Sequence, residues 1–365
     1  PPGMDNVRQG GTEKALCDWF LGYDQDWTLA LHAPFAEWID HYGKGMFQRH
    51  RLDPGQSRSF EGWLQICPSG DIAPVLHFEM QRKDLEQGRL MGRVLDTQGR
   101  SVPRPVVSAQ KSGHLYTWTF GRDGDYALDL PPGEYSIRST GWGFGSTPAV
   151  QTRVSPGQTE HLDFTDLPAP GRLVFQVKEA GSDRPLDARI QMIEGQQAAI
   201  GFLGRTTFFT DLEGIGRAEL DLAPGEYTFE ISHGSGFCSL PERVQLRAAP
   251  GTTRTVPITL TLEDPARDAG WYAVDLHHHG DILDGATSPE EAVRSQLASG
   301  LDILFLSDHD STANNRSMLD LARQRNRLFL PAMEISRSWG HFNIYPLLQD
   351  PRPDPVPLTG SPREI

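Results

Sequence analysis

A repeated ten-residue block constrains the fold of this chain more than any other feature of its sequence. Leu128-Asp129-Leu130-Pro131-Pro132-Gly133-Glu134-Tyr135-Ser136-Ile137 returns as Leu220-Asp221-Leu222-Ala223-Pro224-Gly225-Glu226-Tyr227-Thr228-Phe229, offset by 92 residues. In each copy, apolar residues two apart precede a Pro-Gly turn and another such pair follows it. That is the period of a strand with one buried face. Proline presets the turn and glycine tolerates positive φ, so the block reads as a hairpin of two neighbouring strands. Each copy follows an acid-and-glycine turn, Asp123-Gly124 or Asp211 to Gly214. Each unit also opens on a glycine-led strand, Gly92-Arg93-Val94-Leu95-Asp96 or Gly171-Arg172-Leu173-Val174-Phe175. A period near 90 residues suits two small β-sandwiches better than a solenoid.

Composition agrees with a turn-rich chain. Of 365 residues, 65 are Gly or Pro, about one in six against about one in eight on average. The formal charge is -14, and only 5 of the 34 basic residues are Lys, with none in a cluster. No basic face for a phosphate backbone is therefore expected, and nucleic acid is not expected as a partner. No run of apolar residues is long enough to span a membrane as a helix. Cys17, Cys67 and Cys238 form no C-x-x-C pair, which rules out a disulfide framework though not a single bridge. The chain opens Pro1-Pro2-Gly3 and closes Pro362-Arg363-Glu364-Ile365, so it is expected to be a segment cut at both ends.

The first stretch, 1–85, reads as the end of a β domain, with a strand over Phe60–Ile66, followed by a connecting helix from Ile72 to Leu85. The two sandwiches follow at 86–168 and 169–266. After Asp264-Pro265 the pattern changes. Trp271 to His279 reads as an apolar strand. Ser288-Pro289-Glu290-Glu291 is a capping box with proline at the first helical position. Ile303-Leu304-Phe305-Leu306 is a second strand, Thr312 to Asn326 a helix, Leu328-Phe329-Leu330 a third strand and His341-Phe342-Asn343-Ile344-Tyr345 a fourth. Alternating strands and helices imply parallel βαβ units, so 267–365 is expected to be the N-terminal part of an α/β barrel. The fold class is then multidomain: all-β sandwiches over 1–266 followed by that barrel segment.

Histidines and acids fall at the ends of these strands. His277 and His279 close the first, Asp308-His309-Asp310 the second and Glu334 the third, while His341 opens the fourth. In a β/α barrel the carboxyl ends of the strands converge on one face, where sites form. His277 and His279, two apart, leave the same side of a strand, and His278 points away. Carboxylates such as Asp284 and Glu334 can bridge ions that imidazoles cannot. A mixed His/Asp/Glu set suits two or three borderline cations. Other candidates reduce to structure. Gly141-Trp142-Gly143-Phe144-Gly145-Ser146 is a turn without a following helix. His233-Gly234-Ser235-Gly236 lacks the first glycine of a nucleophile elbow. His32, His41 and His50 have no ligand spacing. Tyr116, Trp118 and Trp142 read as packing before they read as a sugar platform.

Asp275-Leu276-His277-His278-His279, Asp284-Gly285, Ser288-Pro289-Glu290-Glu291, Ser307-Asp308-His309-Asp310, Glu334-Ile335-Ser336 and Gly340-His341-Phe342-Asn343 together resemble, in order and spacing, the motif series of the PHP (polymerase and histidinol phosphatase) superfamily. The Glu-Ile-Ser and Gly-His-Phe-Asn-x-Tyr-Pro forms are most similar to its CehA/McbA group of metallohydrolases. The resemblance covers about 95 residues. It implies metal ligands at His277, His279, Asp284, His309, Glu334 and His341, with Glu334 bridging. It also implies that Asp275 and Asp308 orient imidazoles, and that two or three divalent ions (Mn, Fe or Zn) are bound in the complete protein. The family's later ligands would lie beyond Ile365. Upstream, Gly92-x-Val94-x-Asp96-x-x-Gly99, Asp123-Gly124-x-Tyr126 and Leu130-Pro131-x-Gly133-x-Tyr135 resemble the carboxypeptidase regulatory-like domain, a spacer or binding module.

The implied activity is metal-assisted hydrolysis of a small-molecule phosphoester, carboxylic or carbamate ester, or amide, with Asp310 as a candidate proton carrier. The rival reading is a binding or scaffolding protein whose sandwiches grip glycan or protein and whose barrel segment is inactive. Appended sandwiches favour an extracytoplasmic location.

Overall fold

The computed structural model describes residues 18–24, 26–39, 45–47, 51–196, 200, 203–234, 239–263, 269–283, 285–337 and 340–347. They fall into two compact units. One lies within Pro1–Gly171, Gln197–Gly204 and Asp221–Pro224, the other within Arg172–Gln196, Arg205–Leu220 and Gly225–Ile365. Most elements are strands, and among the described residues three α-helices of ten residues each occur.

In the first unit, strands Trp19–Tyr23, Trp27–His32 and Trp63–Pro68 form a small antiparallel sheet. The strand expected over Phe60–Ile66 thus starts and ends slightly later. The helix expected from Ile72 runs from Ala73 to Arg82, with Val75 and Met80 buried. Leu85 falls outside it and is 50% exposed. A sandwich of two four-stranded sheets follows. One sheet holds Gly88–Asp96, Asp125–Leu130, Thr159–His161 and Phe164–Leu167. The other holds Pro105–Lys111, His114–Phe120, Gly133–Gly141 and Val150–Val154. Leu90, Val94, Leu128 and Leu130 from the first sheet meet Val107, Ala109, Tyr135 and Ile137 from the second in one core.

The Pro-Gly block is not a hairpin. Asp125–Leu130 pairs with Gly88–Asp96, whereas Gly133–Gly141 pairs with Pro105–Lys111 and Val150–Val154. The turn therefore carries the chain across the sandwich from one sheet to the other. Leu128, Leu130, Tyr135 and Ile137 all point inward, as the alternation requires, but alternation reports the buried face and not the neighbouring strand. The Tyr135 hydroxyl donates to the Pro131 carbonyl at 2.8 Å and pins the corner, as tyrosine corners do in sandwich folds.

The second copy does the same. Arg217–Leu222 joins Gly171–Glu179 and Thr253–Leu260, while Gly225–Ser232 joins Thr207–Phe209, Arg189–Glu194 and Glu242–Ala248. Phe175 and Phe229 meet edge to face across this core, 5.3 Å between ring centroids. Trp118, considered above as part of a sugar platform, is fully buried and donates its indole N–H to the Gly70 carbonyl.

The C-terminal α/β segment lies in the second unit. Ser288 accepts from the Glu291 amide and caps the helix Pro289–Ala298, which ends at Gly300 with φ +75°. Ile303–Leu306 pairs in parallel with Leu328–Pro331 across the helix Asn315–Gln324, giving one βαβ unit. Ala292, Val293, Leu297, Leu304, Leu306, Met318 and Ala322 form its core.

Three expectations are corrected here. Trp271–His279 is not a strand. It makes one parallel bridge, Val274 to Ile303, and the His277 amide donates to the Asp275 carboxylate instead of to a ladder. Glu334 does not end the third strand. It lies inside Met333–Arg337, which turns back antiparallel on Gly340–Ile344. No barrel is seen among the described residues of 267–365: parallel pairing within that segment is confined to the βαβ unit and the Val274 and His309 bridges.

Candidate metal centre

Glu334 is the hub of the histidine set. Its residue is 3% exposed, and its two oxygens face different imidazoles. Oε2 lies 2.8 Å from His277 Nε2 and 2.7 Å from His279 Nε2, and those two nitrogens are 3.1 Å apart. The same oxygen is 3.8 Å from His309 Nδ1, whereas Oε1 is 3.2 Å from His341 Nδ1. The rings follow one another around the carboxylate, with centroid separations of 5.0 Å (His277–His279), 4.5 Å (His279–His309) and 5.5 Å (His309–His341).

Local structure explains how three stretches of chain, the His277–His279 segment, the His309 turn and the hairpin of Glu334 and His341, deliver these groups. Glu334 and Ser336 leave the same side of their strand. Ser336 stands opposite His341 in the hairpin, and its hydroxyl contacts His309 Nδ1. That contact restrains the His309 ring. The Asp310 amide donates to the Glu334 carbonyl at 2.7 Å, and the Glu334 amide to the Asp308 carbonyl at 3.1 Å. His277 and His279 enter on the extended segment, which is tied to the βαβ unit by the Ser307 amide donating to the His278 carbonyl. Asn343 steadies the same segment through the Leu276 carbonyl.

Electrostatics favour an ionised hub. Burial pushes the Glu334 carboxyl up, but the hydrogen bonds from His277 and His279, together with the field of His309, bring it below its ordinary value. Asp308 behaves oppositely. Burial raises its carboxyl, although the Gly280 amide and the Asn314 side chain bond to it and partly offset that rise.

Two groups of ligand atoms share Glu334: His277, His279 and Glu334, then His309, Glu334 and His341, each within 4.8 Å of one another. Atoms bound to one divalent ion at ~2.0–2.2 Å stand roughly 2.9–3.4 Å apart, so the first group fits with little adjustment. Imidazoles with a shared carboxylate are donors that Zn, Mn or Fe accept.

The remaining expected residues are placed differently. Asp284 lies outside the described residues, as do Cys17 and Cys238; Cys67 is buried and free. The Asp275 carboxylate bonds the ring of His278, which is not one of the clustered imidazoles. Asp310 does not stand as a free proton carrier. It accepts from Arg337 Nη1 at 2.9 Å and from the Ser336 amide, and both members of this ion pair are buried. Sequence reasoning missed Ser336, Arg337, Asn314 and Asn315 as parts of the centre. The consecutive asparagines ahead of a helix were the available signal, because such residues favour helix starts and side-chain bonding to nearby loops.

Comparison with known proteins places part of this picture. Residues 89–166 match the carboxypeptidase regulatory-like domain family. A 3',5'-nucleoside bisphosphate phosphatase of Chromobacterium violaceum is 35% identical over 72 residues, 20% of this chain and 25% of that protein. A 5'-3' exoribonuclease of Haemophilus influenzae is 35% identical over 65 residues, 18% of this chain and 24% of that protein. The chain thus spans about a quarter of the length of these curated relatives. Among solved structures, the Bacillus anthracis TIE protein is similar at a TM-score of 0.22, with 13% identity, over 65% of this chain and 42% of that one. The minor pilin GBS52 of Streptococcus agalactiae is similar at 0.30, with 11% identity, over 48% of this chain and 97% of that one.

Proposed function

We propose that this chain supplies part of a divalent-metal centre for hydrolysis of ester-type bonds, phosphoesters among them, and that its C-terminal segment is a PHP-type domain of the CehA/McbA kind. The observation that carries this reading is the convergence of His277, His279, His309 and His341 on the two oxygens of Glu334. The two partial relatives carry hydrolase names, which supports the reaction class.

His277, His279 and Glu334 would hold one ion, and His309, Glu334 and His341 a second. Such ions, when bound, would supply an acidified water and polarise the oxygen of the bond under attack. The protein's own residues do the rest. Glu334 would supply the negative charge for both positions, since it belongs to both groups of ligand atoms. Ser336 holds the His309 ring against rotation. Asp310, tied to Arg337, fixes the turn that carries His309. The upstream sandwich fits a spacer or binding module, as its family match suggests, and an extracytoplasmic setting belongs to the same reading.

Elemental analysis of the intact protein tests the proposal. Two or three equivalents of Mn, Fe or Zn are expected, with chelation abolishing hydrolysis of activated esters or phosphates. Absence of bound metal together with unchanged behaviour of His309→Ala would return the protein to the binding or scaffolding class.

A further inference from the structure

Ligands at this centre come from three separate stretches of chain, and two adjacent side chains at one helix start touch all three. The helix Asn315–Gln324 is preceded by Asn314, whose side chain does not cap it. Asn314 Nδ2 donates instead to Asp281 Oδ1 at 2.8 Å and to Asp308 Oδ2 at 2.9 Å. Both partners are carboxylates, which only accept when ionised, so the amide nitrogen must face them and spends one hydrogen on each. Asp281 lies two residues past His279, and Asp308 immediately precedes His309. The other oxygen of Asp308 accepts from the Gly280 amide at 2.6 Å and closes the link back to the His279 loop. The neighbouring side chain looks the other way along the sheet. Asn315 Nδ2 donates to the Ala332 carbonyl at 3.1 Å, two residues before Glu334, and Asn315 is itself buried.

We propose that Asn314 and Asn315 are positioning residues for the metal centre. Asn314 holds the His279 and His309 segments together by donating to Asp281 and Asp308, and Asn315 fixes the Glu334 segment through Ala332. This inference rests on the metal-centre reading above. The chemistry at Asn314 is specific. Without its two N–H groups the carboxylates of Asp281 and Asp308, which lie 2.8 and 2.9 Å from one nitrogen, lose their shared donor, and like charges that close repel. Space is also limited. A Cβ added at Gly280 would stand 2.8 Å from Asn314 Nδ2, so the loop approaches the amide as nearly as a residue without a side chain allows.

Titration of the full chain with Co2+, followed by visible absorption, tests the role, because the bands report ligand geometry as well as occupancy. The variants are Asn314→Ala, Asn314→Asp, Asn315→Ala and Gly280→Ala, each also unfolded in chelator as a folding control. Asn314→Ala and Asn315→Ala are expected to weaken Co2+ binding by about 10–100-fold and to shift the bands, as loss of outer partners does at other metal sites. Asn314→Asp keeps the shape but adds a third carboxylate, and is expected to bind more weakly than Asn314→Ala. Gly280→Ala leaves the amide in place but displaces it, and is expected to shift the bands. If Asn314→Asp binds as the unaltered chain does, or if each loss of affinity follows the unfolding midpoint in chelator, the positioning role is wrong while the metal centre stands. If the unaltered chain shows no Co2+ bands, the metal-centre reading falls and this inference falls with it.

Discussion

His309 and Glu334 are joined by a single parallel bridge, with the amides on either side donating across it. This main-chain clamp holds an imidazole 3.8 Å from a carboxylate that three other imidazoles also approach. It explains why a strand end and a hairpin, rather than two neighbouring barrel strands, can present ligands to one point.

Replacing the hub is the sharpest test of that arrangement. Glu334→Gln preserves shape but removes the charge and turns one acceptor into a donor. Divalent-ion affinity, read by calorimetric titration, should fall by more than the ~10–100-fold expected for an outer partner. An affinity equal to that of the unaltered chain would show that Glu334 is not a shared ligand.

The Asp310–Arg337 pair should behave as a structural anchor. Both side chains are buried, and among the described residues Arg337 Nε and Nη2 have no partner, so Asp310→Ala leaves an uncompensated cation. The expected cost is about 3–5 kcal/mol in urea unfolding, and replacing both members with apolar residues should recover most of it. A cost below ~1 kcal/mol would mean that the pair does not hold the turn.

Tyr135 offers a test of the sandwich corner. Tyr135→Phe keeps the buried ring and removes only the bond to the Pro131 carbonyl. Denaturant unfolding should report a loss of about 1–2 kcal/mol. No loss would assign the residue's contribution to packing alone.

Acid sensitivity in the first unit should come from Glu79. Burial pushes its carboxyl up, but hydrogen bonds from His32, Arg82 and Lys83 dominate and bring it down to about 2 from 4.5. A folded value below the unfolded one stabilises at pH above the unfolded value, and that stabilisation is lost as pH falls through the folded value. The melting temperature should therefore decline between about pH 5 and pH 2, and Glu79→Gln should flatten that slope while lowering the plateau. An unchanged slope in the variant would place the titration elsewhere.

Much of this is legible in the sequence alone. The capping box at Ser288, the helix stop at Gly300 and the inward faces of both sandwiches follow from local chemistry, which the sequence states directly. The gathering of His277, His279, His309, Glu334 and His341 was also anticipated, because residues of these types stand where an apolar side chain would pack better. What local patterns could not supply was partnership. Alternation at Leu128 and Tyr135 marks the buried face but leaves the neighbouring strand undetermined. The third strand looked continuous from Leu328 through Glu334, yet the chain changes partner at Ala332. Asp310 reads as a candidate proton carrier because Arg337, 27 residues later, gives no sequence sign that the two will pair.

The crossing at Pro131–Gly133 has a bearing on how the domain assembles. Strands adjacent in sequence do not pair across that corner, so neither sheet can zip up from its nearest neighbours there. Gly88–Asp96 must instead wait for a partner about 35 residues downstream. Contacts closing loops of that size raise the contact order, and such domains fold slowly, on millisecond-to-second scales, compared with helical bundles.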